Sequence, residues 1–195
     1  LHKFYRHKSA NWGNSTDYFG HELIKNAVKS TIPEAYGATL LDIGCGTGSL
    51  AKFLANYCDK LYGVDISKEM LQHASNKNLY TDLFLSDVVT FLRKGDSQYD
   101  ILVAAAVLIH FSKLDKLFCL FKGKLKRKGK LVFSIFETHE EQVELTKFHM
   151  YAHKSSYIDK LLDEYGFSIL YSNQSIHEIH KGTPIPGRVY VVKHK

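Results

Sequence analysis

The sequence predicts an α/β fold in which a mostly parallel sheet carries helices on both faces, and three observations predict it. Short apolar runs alternate with helical patterns, and the run over residues 101–109 is continuous, as in a strand covered on both sides. The stretch Leu40-Leu41-Asp42-Ile43-Gly44-Cys45-Gly46-Thr47-Gly48 joins one such strand to a helix through glycines at alternate positions. The last two strands follow one another with no helix between them, so they must pair antiparallel.

The glycine stretch organises the rest. Residues 39–43 read as a buried strand, and residues 49–57 as a helix with Leu50, Phe53, Leu54 and Tyr57 on one face. Between them the backbone must turn sharply and admit a ligand closely, which glycine permits because it lacks a Cβ. The helix N-terminus then presents unpaired N–H groups, so the segment reads as a nucleotide or cofactor cradle. A dinucleotide loop has the spacing G-x-G-x-x-G. Here the spacing is D-x-G-x-G-x-G from Asp42 to Gly48, and Ser49 stands where the dinucleotide glycine would be. Asp42 places negative charge where a pyrophosphate would lie, and suits a ligand carrying an amino group and a sulfonium.

Taken in order, residues 1–20 are rich in aromatic and basic side chains, with residues 12–17 as loop and residues 22–29 as helix, Leu23, Ile24, Ala27 and Val28 inward. Residues 60–65 form the second strand, ending on Asp65, which lies 19 residues beyond Gly46. An acid about 20 residues beyond such a loop hydrogen-bonds a ribose, because adjacent parallel strands bring it across the crevice. Ser67 caps the next helix, with Glu69 in its first turn. Residues 83–87 are the third strand, closing on Ser86 and Asp87; Asp87 is placed to accept from an adenine amino group, to cap the helix over residues 88–93, or both. The N–H of Val88 is placed to serve a ring nitrogen. Residues 99–111 are the central strand and its exit, where Ala104, Ala105 and Ala106 leave room for a ligand against the backbone.

Ser112-x-x-Asp115 has the form of a capping box opening a helix with Leu114, Leu117, Phe118, Phe121 and Leu125 inward. Residues 130–137 are the fifth strand. Residues 138–155 then break the α/β rhythm with a polar, His-rich insertion (His139, His149, Tyr151, His153), which lies over the crevice if it leaves the carboxyl end of a strand. Ser156-x-x-Asp159 is a second capping-box pattern, ahead of Ile158, Leu161, Leu162 and Tyr165, with Gly166 as the stop. A strand over residues 167–172, or continuing to 180, a turn over residues 181–187 and a strand over residues 188–193 complete the chain.

Composition bounds the function. The sequence has 195 residues, enough for one domain with a substantial core, and 45% hydrophobic and 24% charged residues. It has no apolar run of membrane-spanning length, no signal-peptide pattern, and Leu1 rather than Met at its start, as in a segment trimmed from a longer chain. Cys45, Cys58 and Cys119 lack metal-ligand spacing and suit a reducing cytoplasm; Cys45 reads as a small residue fitting the turn rather than a nucleophile. His149 and His153 stand i, i+4 but without the accompanying glutamate of a metallohydrolase, so no metal is expected. The net charge of +6 raises nucleic acid as a partner. The densest basic run, residues 122–130, falls between a helix end and a strand start, away from the ligand-binding ends of the strands, and reads as a solvated turn complementing the helix dipole.

With these residues in view, the sequence resembles the class I S-adenosylmethionine-dependent methyltransferases of small-molecule type. The likeness is carried by residues 41–48, Asp65 and Asp87, and a departure from the dinucleotide fold accompanies it in the terminal hairpin. A weaker likeness, in Tyr151-x-His153, Tyr157-Ile-x-x-Leu-Leu and Gly182-x-Pro-x-x-Gly187, is to methyltransferases that occur alongside tetratricopeptide repeats, although no repeat of about 34 residues is present. The resemblance implies a seven-stranded sheet of order 3-2-1-4-5-7-6 with the last strand antiparallel. It implies S-adenosylmethionine as cofactor, leaving as S-adenosylhomocysteine, held by Asp42, Gly44, Cys45, Gly46, Gly48, Asp65, Ile66, Met70, Ser86, Asp87, Val88 and Ala104. It places His110 where many relatives carry a histidine, as a base or as a residue fixing the loop; Tyr151 and His153 are the further catalytic candidates. Trp12, Tyr18 and His149 are candidates for the substrate pocket, Trp12 and Tyr18 equally for anchors of the N-terminal helix.

The expected organisation is a single domain, residues 1–195. Its parts are an N-terminal helical cap (1–36), a cofactor-binding core (37–137), a lid insertion (138–155), and a C-terminal helix and hairpin (156–195). The Asn/Asp-Pro-Pro-Tyr signature of enzymes that methylate exocyclic amines is absent, and a small-molecule acceptor methylated on oxygen is favoured over nucleic acid. Two rivals stay open: an NAD(P)-dependent oxidoreductase, and a non-catalytic partner protein that keeps the cofactor site.

Overall fold

Alternation of side chains along the central strands puts a large core on each face of the sheet, with a smaller third cluster of Ile109, Phe136, Met150, Ala152 and Ile185. In β2 (Thr39–Ile43), Leu41 and Ile43 face one helical layer while Leu40 faces the other. The same split runs through β5 (Tyr99–Ala104), with Leu102 and Ala104 against Ile101 and Val103. In β6 (Leu125–Glu137), Leu131, Phe133 and Ile135 face one side and Val132 the other. One layer holds α1 (Gly20–Thr31) and α2 (Ala51–Leu54, continued by a 3-10 turn over Ala55–Tyr57). The other holds α4 (Val88–Arg93), α5 (Asp115–Lys124) and α6 (Ser155–Glu164). The continuous apolar run of β5 is thus a strand buried from both sides. The computed structural model describes residues 16–34 and 37–195; Trp12 and the aromatic residues before it lie outside the described residues.

The remaining strands are β1 (Thr16–Tyr18), β3 (Lys60–Asp65), β4 (Asp82–Leu85), β7 (Val143–Leu145), β8 (Tyr151–His153), β9 (Phe167–His180) and β10 (Thr183–His194), and α3 (Lys68–Ser75) links β3 to β4. The main path is β1-β9-β10-β6-β5-β2-β3-β4, with β4, β3, β2, β5 and β6 parallel and β10 antiparallel to both neighbours. The seven-stranded expectation is corrected to a ten-stranded sheet among the described residues. The expected order lies within it; β1 is added at one edge, and β7 and β8 branch from β6 off the main path. Strands β9 and β10, at 14 and 12 residues, outrun the core, and the free edge of β9 is covered by β1, of which residues 16 and 17 were expected as loop. The insertion after β6 folds as a hairpin, β7 with β8, and β8 runs parallel to the end of β6.

Both capping-box expectations are corrected. At α5 no side chain of the first turn caps the helix; the Leu114 N–H donates to the Tyr157 hydroxyl at 3.2 Å, which itself donates to Asp115 at 3.1 Å, so the cap comes from α6. At α6 the helix starts two residues earlier than the pattern requires, with Lys154 as N-cap, which puts Ser156 inside the first turn. Ser67 and Asp87, by contrast, do cap α3 and α4, accepting from Met70 and Thr90. The basic run is less solvated than its composition implies. Lys124 is buried and donates to the carbonyls of Lys94 and Gly95, Lys126 pairs with Asp100 at 2.7 Å, and Lys130 donates to the Thr31 carbonyl. Asp100 also accepts from the amide and hydroxyl of Thr39, clasping the amino ends of β2, β5 and β6.

Candidate active site

The glycine loop sits at the carboxyl ends of the parallel strands, where a sheet of this kind opens a crevice. Gly44, Gly46 and Gly48 all have positive φ (66°, 55° and 73°), the left-handed region that side chains resist. Their surroundings differ. A Cβ on Gly44 would meet Val107 Cγ2 at 2.7 Å and one on Gly48 would meet the Tyr80 ring at 3.0 Å, whereas one on Gly46 would meet nothing within 4 Å among the described residues. Among the described residues, Gly46 is the point at which bare backbone faces open space.

Two neighbouring strand tips converge on it. Asp65, at the end of β3, accepts from the Gly46 N–H at 2.9 Å through one oxygen and from the Ser67 N–H at 2.8 Å through the other. Burial pushes its carboxyl up, and these backbone donors oppose that. The Ser86 N–H donates to the Asp65 carbonyl at 3.0 Å, which brings the end of β4, and Asp87 after it, alongside. Asp87 is exposed, and the Thr90 bonds at the helix start hold its carboxyl down. Ile66, Met70 and Val88 are half-buried around the same tips.

Asp42 is placed differently from its sequence reading. It is 2% exposed and accepts from the Tyr80 hydroxyl at 2.8 Å, and burial pushes its carboxyl up to about 7. Tyr80 was not legible as a site residue: it lies in the connection before β4, and only the tertiary fold lays its ring on Gly48, Gly63 and Asp42. Burial pushes the Cys45 thiol well up, with Asp42 and Asp65 adding to it, so the sulfur stays a protonated thiol at neutral pH, as its reading as a small turn residue requires. Ala104 is wholly buried in the core, and it is Ala105 and Ala106, just beyond the strand, that are partly open.

His110 ends the 3-10 turn Leu108–His110 after β5, and burial holds its imidazole down at about 4, so it is neutral at pH 7. His153, on β8, is fully buried; its Nε2 bonds the carbonyl of Phe111 at 2.9 Å, and burial likewise holds it at about 4. That bond brings β8 against the residue following His110. Tyr151 is half-buried on the same short strand. His149 lies apart from them, exposed at the turn of the β7–β8 hairpin with φ of 61°. Tyr18 packs edge-on against His21 and His177, 4.7 and 5.3 Å between ring centroids. No group of three or more metal-ligating side chains occurs among the described residues, and no described helix is long and apolar enough to cross a membrane.

A parallel sheet bearing a D-x-G-x-G-x-G loop, an acid at the next strand tip and an antiparallel strand inserted near one edge defines the class I S-adenosylmethionine-dependent methyltransferase architecture. Residues 41–133 match the family described as a methyltransferase domain. Among curated proteins it is 27% identical over 125 residues to an 18S rRNA (guanine-N(7))-methyltransferase of Bos taurus, covering 58% of this chain and 44% of that one. It is 29% identical over 102 residues to a ubiquinone biosynthesis O-methyltransferase of Coxiella burnetii, covering 50% and 43%. The chain thus spans less than half the length of these relatives. Among solved structures it is similar to magnesium protoporphyrin IX methyltransferase from Synechocystis PCC 6803 with bound S-adenosylmethionine, with TM-score 0.66, 24% identity, and coverage of 90% of this chain and 80% of that one.

Proposed function

We propose that the domain transfers a methyl group from S-adenosylmethionine to an oxygen of a small-molecule acceptor. The observation that carries this reading over a nicotinamide enzyme is the sheet edge, where antiparallel β10 lies between β6 and β9. The fit of the cofactor rests on the open face of Gly46 beside the Asp65 carboxylate. Gly44, Gly46 and Gly48 would lie against the cofactor as bare backbone, Asp65 would take its ribose, Asp87 and Val88 its base, and Ile66 and Met70 the flat faces of that base. S-adenosylmethionine, when bound, supplies a methyl group on an already activated sulfonium.

The protein's own contribution is then orientation and exclusion of water, which carry much of the advantage in reactions of this type. Neutral His110 is a weak proton acceptor at a pKa of about 4, so it suits orienting an acceptor hydroxyl better than deprotonating it. Tyr151, beside the β8 tether, offers a second polar contact, and His153 holds that strand in place. The ubiquinone and protoporphyrin relatives support an acceptor of small-molecule type. The rRNA relative raises a polynucleotide, but Lys124, Lys126 and Lys130 are engaged within the fold, at the end of the sheet opposite the crevice.

Calorimetric titration with S-adenosylhomocysteine and NADH side by side tests the reading, with Asp65→Ala as control. The expected result is binding of S-adenosylhomocysteine, no binding of NADH, and loss of most affinity in the variant; the reverse ranking of the two ligands ends the methyltransferase reading. Binding without turnover across phenolic, enolic and carboxylic acceptors would favour the non-catalytic partner protein.

A further inference from the structure

Four departures from ordinary local structure lie on one line across the sheet. Ala106, just past the end of β5, has φ of 52°, which a residue with a Cβ adopts only when its surroundings hold it there. Its N–H donates to Ser134 Oγ on β6 at 3.1 Å, just where the backbone ladder between β5 and β6 ends at Ala104 and Phe133. Ser134 is fully buried, and its hydroxyl bonds His177 Nε2 at 3.0 Å. His177 belongs to β9, with the whole of β10 between it and β6.

Two features let the imidazole cross. The register of β9 on β10 passes from Glu178 opposite Ile185 to Ile176 opposite Pro186, so His177 is the extra residue of a β-bulge, a device that re-aims a side chain. On β10, Gly187 leaves the space the ring needs: a Cβ there would meet His177 Cβ at 2.6 Å and Cδ2 at 3.1 Å. The ring is then walled by Phe136 and Tyr18, and its Nδ1 is buried without a partner among the described residues. An apolar side chain would fill that volume without an unsatisfied nitrogen, so packing alone does not account for a histidine. Burial holds it down at about 4, which makes the bond to Ser134 one between neutral groups.

The far end of the line is the cofactor loop. Val107, next to the Ala106 turn, is the side chain that a Cβ on Gly44 would strike. We propose that Ser134 and His177 are positioning residues for methyl transfer, holding the Ala106–Val107 turn against the glycine loop through a hydrogen-bonded line that crosses Gly187. The role rests on the methyltransferase reading of the loop; the line itself does not.

Amide hydrogen exchange and calorimetry separate the two. Without ligand, the Ala106 amide is expected to be protected in the unaltered protein and to exchange at least tenfold faster in Ser134→Ala, His177→Phe and Gly187→Ala. Ser134→Thr and His177→Gln, which keep the polar contact, are expected to stay near the unaltered rate. Affinity for S-adenosylhomocysteine should fall at least fivefold in the first group and stay within twofold in the second, with thermal unfolding confirming that each variant is folded. An Ala106 amide that exchanges freely in the unaltered protein overturns the proposal whatever the variants do. Faster exchange with unchanged affinity in Ser134→Ala overturns the positioning role. Failure of the unaltered protein to bind S-adenosylhomocysteine defeats the functional reading and the role with it, and the ligand-free exchange distinguishes that outcome from a missing line.

Discussion

Substitution of Gly46 by Ala separates ligand binding from folding. The residue has φ of 55°, so a Cβ costs about 1–2 kcal/mol of backbone strain. Among the described residues nothing within 4 Å opposes the added methyl, so none of them adds a clash to that figure. For a chain of this size, a loss of 1 kcal/mol lowers Tm by roughly 2–4 °C. The same methyl would stand in the space assigned to the cofactor, and displacing the ligand is expected to weaken S-adenosylhomocysteine binding at least about tenfold, or about 1.4 kcal/mol. Differential scanning fluorimetry and calorimetric titration on the same preparation read both numbers. Gly44→Ala is the contrast: its methyl meets Val107 Cγ2 at 2.7 Å, so its Tm should fall further. Wild-type affinity in a folded Gly46→Ala protein would refute the placement of the ligand over the loop.

Tyr80→Phe removes the hydroxyl that donates to the buried Asp42 carboxylate at 2.8 Å, and urea unfolding at pH 7 should show a loss of about 1–3 kcal/mol. A loss below about 0.5 kcal/mol would mean that Asp42 finds another donor. Glu178 is buried, 4.0 Å from His180, and burial raises its carboxyl from 4.5 to about 7. The folded state therefore binds more protons than the unfolded state between those values, and stability falls as pH rises through that window. Glu178→Gln should accordingly raise Tm at pH 8 and have a smaller effect at pH 5; an equal shift at both would contradict the buried charge.

How far the sequence could be read depended on the range of the interactions involved. Strands β2 and β3 were legible to the residue, because a strand buried on both faces leaves an uninterrupted apolar run closed by glycine or acid. The Ser67 and Asp87 caps were legible for the same reason: donor and acceptor lie three residues apart. The capping pattern at Ser112 misled because a hydroxyl distant in sequence, that of Tyr157, took the N–H first. The basic run misled in a similar way. Charge is read locally as solvated, yet Lys124 is drawn inside by two carbonyls from the connection between α4 and β5. His153 was singled out for its chemistry, and the fold sealed it in a bond to Phe111.

By itself, the sequence determined the α/β class, the glycine turn and the acid at the neighbouring strand tip, since these depend on periodicity and on residues that only one backbone conformation suits. The tertiary structure decided what the charges and imidazoles face: Tyr80 over Asp42, the bulge that turns His177 across Gly187, and the open side of Gly46. Those depend on which strands lie side by side. Strand neighbours are chosen by burial summed over the whole sheet, a quantity that no single stretch of the chain contains.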